Sequence, residues 1–548
     1  MKGGFLWDDK YFISENQDLL SRGFLERLLV SPFGGAEGSD ENNPGAGLNR
    51  QFYRPLTSLS YWLDFKVWRL NPAAFHLTNI LLHLLNSILL FGLLLRFGFG
   101  QPASFSGAFL FSAFPVHFES VSWISGRTDL LSFFFAALSL LFFLRFLERK
   151  GGFRLLVSSL FYLAALLAKE NVILLPLVFL FLLYRRRRAV KDVFLPLLPF
   201  GIAFVIWAAL RFNALGRSEF LYSGRTLGDF LGTLGFYAWK TIFPFRLSVT
   251  INPSLVLGKP IFRVFGLFLI FVLAVSVFLA VKKRRSDGHL LMLVPAYFIF
   301  LLPSAAVIFS AATISLLGWR FLYLASAVFV SALAYVLFKK IKHRSISVAA
   351  LVLFVVAYSA EVIPKNRLYG QEETNFWLGI KDLQREDLIA RFNAGIKCLP
   401  VDEGKAVGIL LGILGERGHP LYGFWKRRVH EELAIYFAFK KEFPRAEEHF
   451  QELMRMPSGL SLHASFNYAY YLAFAGRAPE GEVIILEKLR GNPRNHFVLT
   501  RAAKFYLVIK DYGKAAALYE RDYEIFPSPQ TQSLIRELND LRQEAEKK

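Results

Sequence analysis

The sequence predicts an all-α protein in two parts, a polytopic transmembrane helical bundle followed by an α-solenoid of helical repeats. Three observations carry this. The chain is 54% hydrophobic with 58 Phe among 548 residues, and its apolar residues collect in membrane-length runs over the first two thirds. From about Lys365 onward charge rises and apolar residues recur at helical spacing, the mark of a soluble helical domain. Within that second part, small residues and prolines return at a near-constant interval. The expected division is 1–364 for the membrane part, with an outer acidic loop over 1–73, and 365–548 for the helical part.

Ten runs are apolar enough to cross a bilayer: Phe75–Phe97, Pro102–Phe118, Leu130–Leu147, Phe153–Ala168, Val172–Tyr184, Val193–Phe212, Phe262–Val281, Leu290–Phe309, Phe321–Phe338 and Ile346–Ile363. The shortest are tolerable only inside a bundle whose neighbours shield their ends. Thr226–Phe245 is also apolar, but Lys240 and several glycines interrupt it, so it reads as re-entrant or interfacial.

Net charge is +21, yet the basic residues lie between the apolar runs, which explains them as orientation signals and leaves no case for nucleic acid. Arg145, Arg149, Lys150 and Arg154 form one basic loop, Arg185 to Arg188 with Lys191 a second, Lys282 to Arg285 a third, and Lys339, Lys340, Lys342 and Arg344 a fourth. The positive-inside rule turns all four to the cytoplasm. Alternation then holds only if Thr226–Phe245 does not cross. It puts residues 1 to about 73, and everything after Ile363, outside the cytoplasm.

That topology gathers charges from separate loops on the outer side: Asp8 and Asp9, His117 and Glu119, Arg127 and Asp129, Lys169 and Glu170, and Arg320. A single charge at a span edge is most simply a cap or an anchor. Acids and bases interleaved on one face point to a site. Adjacent carboxylates such as Asp8 and Asp9 suit general-base chemistry, one taking a proton while the other tunes or orients it; a solvated turn is the alternative.

The first run carries His76, Asn79, His83 and Asn86 on one helical face, where interhelical hydrogen bonding and a ligand role both fit. Metal binding has little support because no third ligand has recognisable spacing. Upstream, Tyr53-Arg54-Pro55 leads into Leu56–Leu70, an amphipathic helix expected to lie in the outer interface. The lone Cys398 excludes an intrachain disulfide or a thiolate cluster.

In the second part Ala434, Ala469 and Ala503 are 35 and 34 residues apart, as are Phe437, Leu472 and Tyr506, Ala446, Gly481 and Ala515, and Phe450, Ile485 and Tyr519. Pro457, Pro493 and Pro527 close each unit. This is the tetratricopeptide pattern, clear over about 427–528, with small residues where paired helices approach and Pro ending the second helix. Phe392–Glu416 is expected to be an earlier degenerate unit, and Leu534–Lys548 a charged capping helix. The repeats imply a surface for a protein or peptide partner.

In order along the chain, Phe5-Leu6-Trp7-Asp8-Asp9, Tyr53-Arg54-Pro55-Leu56, Phe75-His76-Leu77-Thr78-Asn79, Pro115-Val116-His117-Phe118-Glu119, Gly126-Arg127-Thr128-Asp129, Ala168-Lys169-Glu170, Arg320-Phe321-Leu322-Tyr323 and Asn366-Arg367-Leu368-Tyr369 resemble the transmembrane-and-tetratricopeptide, O-mannosyltransferase-like proteins of the GT-C superfamily and their bacterial relatives. The resemblance implies a GT-C-like membrane domain that transfers a sugar from a polyprenyl-phosphate carrier to an acceptor hydroxyl, in protein O-glycosylation, on the extracytoplasmic face. It assigns the base to Asp8, with Asp9 beside it. Arg127, Lys169 and Arg320, in that order, are the candidates to hold the leaving phosphate, with pairing to Asp129, Glu170 or Glu119 as the alternative for each. Glu119, Asp129, Glu170, His117 and Arg54 complete the expected substrate-binding set. The lipid-linked sugar is the donor substrate, and no Asp-x-Asp or Walker pattern points to a nucleotide.

Family members place a membrane span directly before the acidic loop, whereas this sequence begins seven residues before Asp8. Either a first span lies ahead of it or the chain is a truncated form. A membrane-anchored repeat scaffold without catalysis is the alternative function. The chain has no Asn-x-Ser/Thr sequon, Asn252-Pro253-Ser254 being blocked by its Pro, which favours a bacterial inner membrane with a periplasmic repeat domain over the endoplasmic reticulum with a luminal one.

Overall fold

The computed structural model describes residues 3–21, 23–33, 52–149, 151–185, 193–216, 225–251, 256–257, 259–282, 289–309, 317–383, 387–416, 422–457, 459–525 and 529–546. Lys150, Arg186 to Arg188 with Lys191, Lys283 to Arg285, Asn252 to Ser254, and Pro527 lie outside them. Two compact units form, Met1–Asp387 and Leu388–Lys548.

The first unit holds α1 (Pro55–Trp68), α2 (Pro72–Arg96), α3 (Gln101–Ala113), α4 (Arg127–Glu148), α5 (Gly152–Ala168), α6 (Leu175–Arg185), α7 (Leu198–Leu215), α8 (Leu227–Ile242), α9 (Pro260–Lys282), α10 (His289–Ala306), α11 (Tyr323–Tyr335), α12 (Arg344–Tyr369) and α13 (Glu373–Leu383). Each of the ten expected crossings contains a helix. Six segments have full span length and apolarity: Pro72–Arg96, Ile124–Glu148, Leu195–Leu215, Pro260–Ala280, Trp319–Lys340 and Arg344–Tyr369. Those through α4 and α11 are 61% buried and form the bundle centre, while those through α9 and α12 are 11% buried and present their apolar surface outward, as lipid-facing helices do. Reciprocal bonds from Ser139 Oγ to Ser158 O (2.8 Å) and from Ser158 Oγ to Ser139 O (2.7 Å) join α4 to α5.

Three of the four polar residues on the polar face of α2 are interhelical glue, while the ring nitrogens of buried His76 meet no partner among the described residues. Asn79 donates to the Trp123 carbonyl (3.1 Å), Asn86 to that of Leu130 (2.9 Å), and His83 meets Tyr323 Oη at 2.7 Å. Helix α8 crosses the first turns of α9 at a pair of glycines. A Cβ on Gly235 would sit 2.0 Å from the Phe262 carbonyl oxygen, and one on Gly266 2.1 Å from that of Leu231. From there α8 reaches Tyr297, midway along α10 (Tyr297 Oη to Thr241 Oγ1, 2.9 Å), and the chain then returns to Trp319, whose indole donates to the Ser248 carbonyl.

The two ends of the bundle differ in chemistry. Helices α2, α4 and α11 start among the charged loops and finish at Arg96, Glu148 and the lysines 339 and 340, and Arg96 pairs with Glu148 at 2.9 Å. Helices α3, α5 and α12 run back. The first unit extends past the expected boundary at 364. Pro364 lies inside α12 without ending it, and α13 returns to the N-terminal segment through Lys10–Glu373 (2.6 Å) and Trp7–Trp377 (ring centroids 5.1 Å).

The second unit is a series of helical hairpins: α14 (Leu388–Cys398) with α15 (Glu403–Leu414), α16 (Tyr422–Phe439) with α17 (Phe443–Met454), α18 (Leu462–Phe474) with α19 (Ala478–Gly491), and α20 (His496–Val508) with α21 (Tyr512–Ile525), followed by α22 (Pro529–Glu546). The twelve recurring positions read from the sequence are all buried. A Cβ on Gly481 would sit 2.7 Å from the Ala469 carbonyl oxygen, so the small residues are where the paired helices meet.

Candidate active site

The acidic pair sits on a strained turn. Asp9 N–H closes on the Leu6 carbonyl at 2.9 Å, and Trp7 between them has φ 55, a left-handed conformation that costs a bulky residue energy and that such turns give to glycine. Packing holds it there: the Trp7 ring lies 5.6 Å from Trp123 and 5.1 Å from Trp377.

The turn sends its two carboxylates to different fates. Asp9 is buried and accepts from Leu6 N (3.0 Å), Ser125 N (2.8 Å) and Ser125 Oγ (2.5 Å). It fastens the N-terminal segment to the turn before α4. Gly126 makes that turn possible, because a Cβ there would lie 2.6 Å from the Ser120 carbonyl oxygen. Asp8 is half-buried and accepts no hydrogen bond from any described residue. Burial pushes its carboxyl above the ordinary range, and the charges of Arg320 and Arg54 pull the other way. Asp9 is pushed up to about 7 by burial, with the Ser125 and Leu6 hydrogen bonds opposing.

Around Asp8 stand three ion pairs. Arg320 binds Glu119, which also accepts from the Arg320 and Trp319 backbone N–H groups. Lys169 donates to both carboxylate oxygens of Asp129 at 2.7 Å. Arg54 holds Glu170 through Nη2 (2.8 Å) and Nε (3.4 Å). Burial raises Glu170, but the charge and hydrogen bond of Arg54, with help from Arg211, overcome it and hold the acid at about 2. Arg320 also stacks over Trp123 and Phe321, with centroids at 5.1 and 4.9 Å. The loops expected to converge therefore do so.

Two expected site residues fall elsewhere. Arg127 is fully buried: it pairs with Asp64 at 2.6 Å, donates to Asn79 Oδ1 (2.8 Å) and the Phe75 carbonyl (2.8 Å), and lies 4.8 Å over the Tyr61 ring. With its donors so engaged it ties α1, α2 and α4 together, in place of holding a phosphate. His117 is buried in an aromatic nest with Phe111 and Tyr323 at 4.5 Å and shares a 2.7 Å hydrogen bond with Ser326, among groups that belong to bundle packing. Asp64 and Arg211 escaped the sequence reading. A charge within the apolar run 193–212 was the available signal for Arg211. Among the described residues no three His, Cys, Asp or Glu side chains converge as a metal-ligand set.

Beneath the charged cluster lies an apolar cavity of about 510 Å³ between α2, α4, α6, α9, α10 and α11. Its lining begins at Leu175, five residues after Glu170, and Leu324, one turn after Arg320, and continues to Leu94 and Tyr184 at the far end of their helices.

Residues 55–212 match the family model described as dolichyl-phosphate-mannose-protein mannosyltransferase. Protein O-mannosyl-transferase TMTC3 of Mus musculus is 34% identical over 150 residues, 27% of this chain and 15% of that protein. Protein O-mannosyl-transferase Tmtc1 of Drosophila melanogaster is 30% identical over 173 residues, 32% of this chain and 19% of its own length. Protein O-mannosyl-transferase TMTC4 of Mus musculus is 34% identical over 191 residues, 31% of this chain and 25% of its own. The matched stretch thus spans a quarter or less of each of these relatives. No solved structure matches the chain. The stretch that carries these likenesses, with its charged loops gathered at one end of an apolar helical bundle, is similar to the GT-C, O-mannosyltransferase-like membrane proteins.

Proposed function

We propose that the protein transfers mannose from a polyprenyl-phosphate carrier to a hydroxyl of a polypeptide acceptor on the extracytoplasmic side of its membrane. The observation that carries this reading is the contrast between Asp8, which is half-buried and without a hydrogen-bond partner among the described residues, and the paired acids around it. A base must be free to accept, and Asp8 alone among the clustered carboxylates is free. The acceptor oxygen forms a bond to the anomeric carbon as the bond from that carbon to the phosphate oxygen breaks. The hydroxyl proton passes to the Asp8 carboxylate, and the phosphate leaves with the bonding electrons. Arg320, Lys169 and Arg54, already ordered by their carboxylates, supply positive charge as that oxygen becomes anionic. Asp9 keeps the turn in place through Ser125.

Lipid as the donor's carrier is supported by the apolar cavity whose lining starts at Leu324 and Leu175, four and five residues on from Arg320 and Glu170. The extracytoplasmic side is supported by the concentration of Arg and Lys at the opposite bundle end. The membrane is read as a bacterial inner membrane with the repeats periplasmic, and the repeats as the capture surface for the acceptor.

The test is transfer by the reconstituted chain from polyprenyl-phosphate mannose to a Ser/Thr-rich peptide, with Asp8→Asn beside it. Loss of about 10²–10⁴-fold in rate is expected. Transfer that survives Asp8→Asn removes this base. No transfer from any polyprenyl-phosphate sugar, with polypeptide capture intact, would leave the protein a membrane-anchored scaffold.

A further inference from the structure

The helical unit leaves in solvent a row of apolar side chains that its own packing does not use. The turns that end α16, α18 and α20 are built alike. Lys441, Gly476 and Lys510 are left-handed at φ 61, 79 and 62. The N–H groups of Glu442, Arg477 and Asp511 close on the carbonyls of Phe437, Leu472 and Tyr506 at 2.9, 2.7 and 2.8 Å. This helix-ending motif fixes the last helical residue at the same place in each hairpin. Those residues are Phe439, Phe474 and Val508, and they are 83%, 55% and 36% exposed. Solvation of aromatic side chains at one repeated position is a cost with no return inside the unit.

The spacing of the row selects what fits it. Helix α16 contacts α18, and α18 contacts α20. Packed neighbours lie about 8–10 Å apart, so the equivalent helix ends that carry the three side chains are expected to recur at that interval. A β-strand repeats on one face at about 6.6 Å and an α-helix at about 5.4 Å. A polyproline-II helix, with three residues per turn and about 3.1 Å rise, repeats at about 9 Å. Charge adds a second condition. Lys441 and Lys510 stand exposed at equivalent positions beside the first and last of the three, and neither has an ion-pair partner among the described residues.

We propose that Phe439, Phe474 and Val508 dock a polyproline-II segment of a partner polypeptide that carries an apolar residue at every third position with acidic residues between. The row belongs to the helical unit alone, so this docking stands or falls separately from sugar transfer by the membrane unit.

The probe is a fluorescein-labelled peptide of four Leu-Pro-Glu triplets, titrated by anisotropy against the full chain in lipid nanodiscs. Saturable binding is expected, about tenfold weaker in Phe439→Ser and in Phe474→Ser. Both side chains are exposed, so the thermal midpoint should hold. A peptide of the same composition with its four Leu contiguous should bind about tenfold more weakly than the triplet peptide. The proposal is overturned by absence of saturable binding, by equal binding of the rearranged peptide, or by unchanged binding in both variants. A fall in oligomeric state on Phe474→Ser, read by light scattering, would also overturn it, because the row would then be a contact between copies of the chain.

Discussion

Replacing each acid of the pair by its amide should move stability in opposite directions. Asp8 makes no hydrogen bond to any described residue, and burial holds its carboxyl above the ordinary range. For such a group the charged form is the unfavourable one in the folded state. Its contribution is intact below the unfolded value of about 3.9 and is lost as pH rises through the raised folded value. Asp8→Asn should therefore leave the thermal midpoint unchanged in acid, raise it at alkaline pH, and remove about 10²–10⁴-fold of the transfer rate. Burial pushes the Asp9 carboxyl up as well, to about 7, but Asp9→Asn differs because that carboxylate accepts hydrogen bonds at both oxygens, whose loss sets against the relief of a buried charge. The new amide oxygen can still receive Ser125, but the NH2 group then faces the Leu6 N–H that Asp9 accepts at 3.0 Å. A buried donor left without an acceptor costs about 1–3 kcal/mol. That should lower the midpoint in detergent by several degrees, and loosen the turn that presents Asp8. Thermal unfolding by intrinsic fluorescence, run alongside the transfer assay, reads both effects. A destabilised Asp8→Asn, or an Asp9→Asn as stable as the native chain, would refute the division of labour between the two acids.

Asp8 acts deprotonated, so transfer should rise with pH through its raised value; Arg54→Gln removes a charge that favours the carboxylate and should shift the acidic limb of the rate profile to higher pH. Arg127→Ala leaves Asp64 buried without its partner and should cost about 3–5 kcal/mol, seen as lost accumulation of folded protein in the membrane. Gly266→Leu drives a side chain into the Leu231 carbonyl and should displace α8 from α9, costing about 1–3 kcal/mol or more in thermal unfolding. With Cys398 replaced by Ser, single cysteines near Arg186 and near Phe474 should label from opposite sides of the membrane; labelling from one side would remove the extracytoplasmic assignment.

Continuous apolarity made the crossings legible, and periodicity made the repeats legible, because both are properties of the chain read along its length. The grouping of charged loops followed from alternation of the crossings. Pairing within the group followed only in part: Arg320 and Lys169 do take acids of that group, Glu119 and Asp129, but which cation meets which acid is settled by side chains from different helices. Arg127, adjacent in sequence to Asp129, takes Asp64 on α1, and Lys169 takes Asp129. His117 stands two residues from Glu119 yet faces the aromatic interior. The domain boundary moved for a similar reason. Pro364 and the rise in charge suggest an end near 364, but α12 continues through the proline and Trp377 packs on Trp7. The left-handed backbone of Trp7 had no signal at all, since glycine or asparagine would have been the readable choice.

The pairings also bear on turnover. Arg54, Lys169 and Arg320 each hold a carboxylate before any substrate arrives, so an incoming phosphate competes for them and gains less than it would from bare cations. Weakening ground-state binding in this way is no loss if the interaction strengthens as the leaving oxygen takes on charge, because only that increment accelerates the reaction. On the proposed reading it would also help the spent lipid phosphate to depart. Asp8 is under the opposite requirement: a base tied to a cation would have to break that bond before accepting a proton. On the proposed reading, the segregation of paired cations from an acid that no described residue hydrogen-bonds is what transfer from a lipid phosphate needs.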